Sequence, residues 1–271
     1  MVDHDRYRIK PGAEVRLDER LTADDQGLDK AAARSIYKRN LKKLRHWQER
    51  LYAESRQSLL VVLQAMDTAG KDSTIRKVAG DVNPQGCRVS AFKKPTEEEL
   101  SHDFLWRIHD HAPPRGHIGI FNRSHYEDVL VVRVHRLATP ETIVDRYRQI
   151  NDFERLLAES GTRIVKIMLH ISRDYQLDRL RRRLRNPDKH WKFNPADLEE
   201  RALWDDYMAA YELALARCSL PYAPWYVIPA EIRWFRDAVV TQLLVDVLAD
   251  MNPSYPPPNF NPAEFPPESL R

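Results

Sequence analysis

The chain has 271 residues with 43 basic and 40 acidic side chains, and a net charge of +3 calls for no nucleic-acid or membrane-surface partner. No apolar stretch approaches a bilayer span, and the polar start MVDHDRYRIK does not resemble a secretory leader. The two cysteines, Cys87 and Cys218, lie far apart without metal-ligand spacing, so a reducing cytoplasm is the expected location, and 31% charged residues with only 8 glycines point to a helix-rich soluble protein.

Residues 1–27 read as a polar arm of mixed charge without a period. From Leu28 to Ala53, apolar positions recur at helical spacing (Ala31, Ile36, Leu41, Leu44, Trp47, Leu51), which predicts an amphipathic packing helix. The run that opens LLVVLQ at Leu59 has no polar alternation and predicts a strand buried on both faces. Four further strands are expected at Cys87–Phe92, His117–Phe121, Arg163–His170 and Trp225–Ile228. Helical patterns fall at Ser73–Val78, Glu97–His111, His125–His135, Pro140–Ser160, Arg173–Arg185, Pro195–Ala216 and Glu231–Met251. This alternation predicts a doubly wound α/β sheet, one domain over residues 28–250, and the proline-rich residues 251–271 predict an extended tail over the surface.

In such sheets ligands sit beyond the carboxyl ends of the strands. After the first strand comes Asp67-Thr68-Ala69-Gly70-Lys71-Asp72-Ser73, which resembles a phosphate-binding loop: a tight turn at Gly70, a cation at Lys71, and hydroxyls at a helix start. The pattern departs from G-x-x-x-x-G-K-[ST] at Ala65 and at Asp72, and the plain alternative is an ordinary strand-to-helix turn with an exposed lysine. Asp67 argues for more, because a carboxylate among phosphate-binding groups repels the ligand unless a divalent metal or a proton transfer employs it.

The second strand is followed by Lys93-Lys94-Pro95-Thr96, and the third by Asn122-Arg123-Ser124-His125-Tyr126-Glu127-Asp128. Arg123 offers a planar fork suited to phosphoryl oxygens, with a structural salt bridge as its alternative role. Asn122 is a neutral oxygen donor at best, and the carboxylates follow at Glu127 and Asp128. After the fourth strand, the arginine run Arg179–Arg185 and the turn NPDKHWKF resemble a movable flap over about 173–195. Arg179 and Arg183 are four apart and share a face. Thr68, Ala69, Gly70, Asp72, Ser73, Lys93, Asn122 and Arg179 are thus candidate substrate-binding residues. The tryptophan regions and scattered histidines read mostly as packing or surface residues.

Taken in order, MDTAGKDSTIRKV, NPQGCRVSAFKKPT, DFLWRIH, IFNRSHYEDVLVVRVH, NPDKHWKF, WDDYMAAYE and PWYVIPA resemble the polyphosphate kinase 2 family. The resemblance implies a thymidylate-kinase-like P-loop fold, three-layer α/β/α with a parallel sheet and helical lid. It also implies Mg²⁺-dependent phosphoryl transfer (Mn²⁺ as an alternative ion) between inorganic polyphosphate and AMP, ADP or ATP, in a homodimer or homotetramer. Under it, Asp67, Lys71, Arg123 and Arg183 are the catalytic candidates. Many members carry Asp where Asn122 stands; FNRSHYED is similar to the subgroup that phosphorylates both nucleoside mono- and diphosphates. The implied metal carboxylates are Asp67 and Glu127, with Asp128 as the fallback. The competing readings are an ATP-dependent nucleotide or nucleoside kinase and a non-catalytic polyanion-binding protein.

Overall fold

The computed structural model describes residues 2–269; residue 1 of the arm and residues 270 and 271 of the tail lie outside the described residues. Five strands form one sheet: β1 (Ser58–Gln64), β2 (Cys87–Ala91), β3 (Ile118–Asn122), β4 (Thr162–His170) and β5 (Trp225–Pro229). Their order is β2-β3-β1-β4-β5, and every pairing is parallel. All seven residues of β1 are buried, as a central strand covered on both faces requires.

Helices close both faces to give three layers. One face carries α1 (Lys30–Glu54), α2 (Lys71–Ala79) and α10 (Arg233–Met251), where α1 packs along α10. The other carries α6 (Pro140–Glu159) and α9 (Trp204–Cys218), with the short α5 (Val131–Val134) against α9. Asp29 starts α1 by accepting from the Ala32 amide at 2.7 Å, and Thr139 with Pro140 starts α6. Among the described residues, no helix is long and apolar enough to cross a membrane.

Three expected helices are broken. Glu97–His111 becomes α3 (Glu97–Ser101) and α4 (Trp106–His109), because Asp103 accepts from the Leu105 amide at 2.9 Å and turns the chain between them. His125–His135 becomes a 3-10 turn at His125–Asp128 followed by α5, with Ser124 bonding the Tyr126 amide. Pro195–Ala216 divides at Leu203 into α8 (Ala196–Ala202) and α9. The arginine helix is continuous as α7 (Arg173–Arg185).

The arm is pinned rather than solvated. Val2, Tyr7, Ile9, Val15 and Leu17 are buried in the core, and the Ile9 amide donates to the Trp225 carbonyl on the edge strand β5 at 2.9 Å. The described part of the tail is exposed beyond Pro253 except at the half-buried Pro266, with the Arg50 guanidinium 5.6 Å from the Tyr255 ring centroid.

Candidate active site

The chain leaves β1 at Gln64 and turns through Ala65–Gly70 before α2 begins at Lys71. Thr68 (φ 69°) and Gly70 (φ 106°) occupy the left-handed region, which a tight loop aiming its amides at a ligand demands. The φ of Gly70 is one that residues with a Cβ rarely adopt, and a Cβ there would also meet the Arg236 guanidinium, so the position favours glycine. Ser73 and Thr74 return their hydroxyls to the Gly70 carbonyl at 2.8 and 3.1 Å. The Lys71 ammonium donates to the Ala65 carbonyl at 2.7 Å and lies 3.8 Å from Asp67 Oδ1. Ala65 therefore contributes a backbone atom that glycine would also supply. Asp72, the other departure from the loop pattern, accepts from the Asn122 amide group at 2.9 Å and joins α2 to the end of β3.

Arg123 follows β3 in a left-handed conformation (φ 63°), held by its own amide donating to the Leu63 carbonyl at 3.1 Å. Its guanidinium donates to Asp67 Oδ1 at 2.8 Å and lies 3.9 Å from Glu127. Burial acts to raise the Asp67 carboxyl, but the charges of Lys71 and Arg123 outweigh it and hold the group below its usual value. Glu127 goes the other way, because burial raises it despite Arg123 and Lys71. Burial lowers Lys71 although Asp67 opposes the shift. Two carboxylates with divergent acidities and two cations thus meet at the ends of β1 and β3.

Asp128, the fallback metal carboxylate, is not part of this group. It accepts from Arg146 through its carbonyl at 2.9 Å and its carboxylate at 3.3 Å, and burial raises it to about 6. Neighbours on a 3-10 turn point about 120° apart, so Glu127 and Asp128 cannot face one cleft together. Lys93 also stays apart. It is exposed after the outermost strand β2, with β3 between β2 and the loop, and does not line the cleft.

The opposite wall is α7, whose base is capped by Ser172 and linked to the loop by Gln176 donating to the Asp67 carbonyl at 3.2 Å. Arg179 and Arg183 both face the cleft. Arg183 is steadied by Asp197 at 3.0 Å and the Lys192 carbonyl at 2.9 Å. Among the described residues Arg179 forms no ion pair; burial lowers it, and so does the repulsion of Arg233, Arg182 and Arg183. The cleft has a volume of about 580 Å³ and is lined by ten basic side chains against two acidic ones, Asp67 and Asp72. Thr68, Ala69, Gly70, Ser73 and Asn122 complete its floor.

Several lining groups escaped the sequence reading. Arg233 and Arg236 enter from the start of α10, and Arg182, Lys189 and Lys192 from the lid. Arg236 is 1% exposed, donates to Ser73 at 3.1 Å, and is held by Asp237. Two arginines in the first turn of the helix that follows the fifth strand were the available signal. A second, smaller cavity of about 260 Å³ adjoins the first, lined by Met66, Leu130, Val131, Tyr207 and Tyr211 as well as Glu127. Asp67 and Arg123 line both.

Among the described residues no cluster of three His, Cys, Asp or Glu side chains is placed to cage a metal. What the site does offer is hard oxygen: the Asp67 and Glu127 carboxylates near the buried, unpartnered Thr68 Oγ1 and Gln64 Oε1. A sparse oxygen set fits Mg²⁺, which keeps several waters and takes the rest of its shell from phosphates.

The sequence profile describing polyphosphate kinase 2 matches residues 27–256. An AMP/ADP-polyphosphate phosphotransferase of Meiothermus ruber is 51% identical over 259 residues, covering 93% of this chain and 96% of that protein. An ADP-polyphosphate phosphotransferase of Rhodopseudomonas palustris is 42% identical, with 93% and 91% covered. The crystal structure of polyphosphate kinase 2 from Arthrobacter aurescens superposes with a TM-score of 0.93 at 44% identity, covering 96% of this chain and 94% of the other. A chain matched over this length in sequence and in fold belongs to the polyphosphate kinase 2 family.

Proposed function

We propose that the protein transfers phosphoryl groups from inorganic polyphosphate to AMP and ADP, forming ADP and ATP. The observation that carries this reading is the pair of adjoining cavities that share Asp67 and Arg123. The larger, lined by cations, suits a chain of phosphates; the smaller, where Met66, Leu130, Val131 and two tyrosines share the walls with the hydrogen-bond acceptors Glu127, Asp197 and Glu200, suits the rings and hydroxyls of a nucleoside. Their common edge is then where donor and acceptor phosphates meet. Relatives named as AMP/ADP- and ADP-polyphosphate phosphotransferases support the same substrates.

The acceptor's terminal phosphate oxygen attacks the terminal phosphorus of the donor, the bridging P–O bond breaks, and the shortened polyphosphate leaves with the charge. A nucleotide phosphate is already deprotonated at neutral pH, so no general base is needed, and the work is positioning and charge stabilisation. Arg123 orients oxygens of both partners from the shared edge. Lys71 and the loop amides hold the donor end, and Arg179 and Arg183 hold the following phosphates while α7 and its turn close over them and exclude water. Asp67, with Glu127, would hold Mg²⁺, which when bound offsets the repulsion between the two phosphates. The unpaired thiols Cys87 and Cys218 support the cytoplasm as the setting, and a homodimer or homotetramer belongs to the same proposal.

An ATP-dependent kinase is the less favoured reading, because the wall above the loop is built from arginine and lysine and offers little apolar surface for a second nucleoside. The test supplies AMP with either polyphosphate or ATP as the only donor and separates the nucleotides by chromatography. ADP and ATP are expected from polyphosphate; transfer from ATP alone would contradict the proposal.

A further inference from the structure

The catalytic cleft does not end at the loop. Ser73, Arg76, Arg233 and Arg236 also line a second groove of about 510 Å³, which runs between α2 and α10 toward α1. From α1 the groove receives Lys30, Arg34 and Lys38, spaced four apart and therefore on one face of the helix. Lys77 joins them from α2. The one acidic lining residue is Asp237, and it is engaged by Arg236 at 2.6 Å. Among the described residues none of Lys30, Arg34, Lys38, Arg76, Lys77 and Arg233 forms an ion pair. A row of like charges at this spacing is unfavourable to the helix itself, so packing does not account for it.

We propose that a long polyphosphate donor continues out of the catalytic cleft past Arg76 and Arg233 and that this groove holds its distal phosphates. The proposal rests on the polyphosphate reading of the cleft. Two observations select a chain of bare phosphates over a nucleic acid. The groove is continuous with the place where the donor end is held, and of its two aromatic lining residues, Tyr37 and Trp234, the one beside the α1 cations is already covered: the Lys77 ammonium sits 5.5 Å from the Tyr37 ring centroid, and the Tyr37 hydroxyl donates to the Lys77 carbonyl at 3.0 Å. Gripping remote phosphates keeps a shortened donor bound between transfers and raises the local concentration of its next end.

The test compares Arg34→Glu/Lys38→Glu with Arg39→Glu/Lys43→Glu, a pair of equal charge change on exposed α1 positions outside the groove. Arg34→Gln/Lys38→Gln serves as a milder version that keeps helix propensity. Transfer to AMP is measured with tripolyphosphate and with long-chain polyphosphate over a range of salt. The groove pair raises the KM for the long chain about tenfold and flattens its salt dependence, as loss of polyanion contacts requires. Its constants for tripolyphosphate stay unchanged, and the control pair alters neither donor. An unchanged long-chain KM, or an equal rise for both donors, overturns the proposal. Loss of single-stranded RNA binding with long-chain KM intact would assign the groove to nucleic acid and also overturn it. If the wild-type protein transfers from neither donor, the reading of the cleft fails and takes the groove with it.

Discussion

In the cleft over α2, ten basic side chains face two acidic ones; beneath β4, by contrast, the fully buried Lys166 gives its hydrogens to Glu154, the Tyr126 hydroxyl and the Cys218 carbonyl. His125, also fully buried, bonds the other oxygen of Glu154 at 3.1 Å. Burial lowers His125 and keeps it neutral, whereas Glu154 stays acidic because Lys166 and His125 outweigh its own burial. All three hydrogens of the lysine are satisfied internally, so its charge has nothing left for a ligand. Its role is positional: it ties the turn that carries Arg123 and Glu127 to β4 and α6. The cleft holds the opposite balance, an excess of charge that only an added polyanion can neutralise. Charge satisfied within the chain builds the fold, and charge left over marks the site.

The sharpest way to break this contrast is to remove Asp67 or Lys71. Asp67→Ala and Lys71→Ala are each expected to reduce transfer by about 10²–10³-fold, as loss of a central charge-stabilising group does, with little change in thermal melting. Near-normal turnover in either folded variant would remove that residue from the proposed chemistry. The converse holds for Lys166→Met, which leaves Glu154 buried without its cation. It is expected to lower stability by about 3–5 kcal/mol in urea unfolding, and Lys166→Met with Glu154→Leu should recover much of the loss. A smaller effect is expected at the cleft wall. Arg179→Ala raises the KM for polyphosphate about tenfold with kcat less affected, since a cation that forms no ion pair among the described residues serves substrate binding rather than the fold.

The mildest test concerns Asp128, whose folded value of about 6 lies above the unfolded 3.8. The unfolded chain releases this proton first, so stability falls as pH rises from about 3.8 to about 6 and is level in this respect above that window. Asp128→Asn should remove this decline in melting temperature while leaving transfer in place. A large loss of transfer in that variant would return Asp128 to the site.

The strands and the loop were legible because an unbroken apolar run and a Gly-Lys turn are local signals, and β1 with Gly70 and Lys71 carries both. The pairing of Asp67 with Arg123 was legible in part, through the rule that ligands gather beyond strand ends. Applying that rule to the fifth strand as well would have raised Arg233 and Arg236. The arm was harder to read, because Tyr7, Ile9, Val15 and Leu17 pack at irregular spacing and leave no period. The breaks at Asp103 and Leu203 depend on side-chain competition and turn geometry that a helical apolar pattern does not reveal. Lys93 and Asp128 misled for a common reason: sequence proximity to a strand end does not fix the strand's place in the sheet or the direction of a side chain on a tight turn.

The central claim is that the excess positive charge over the loop exists to present polyphosphate to a nucleotide. Phosphorus NMR of AMP, Mg²⁺ and polyphosphate with the protein follows donor and products in one sample. The account predicts that internal polyphosphate signal declines as ADP and then ATP resonances grow, and that Asp67→Ala abolishes both changes. Polyphosphate that remains intact while the protein phosphorylates AMP from added ATP would contradict it.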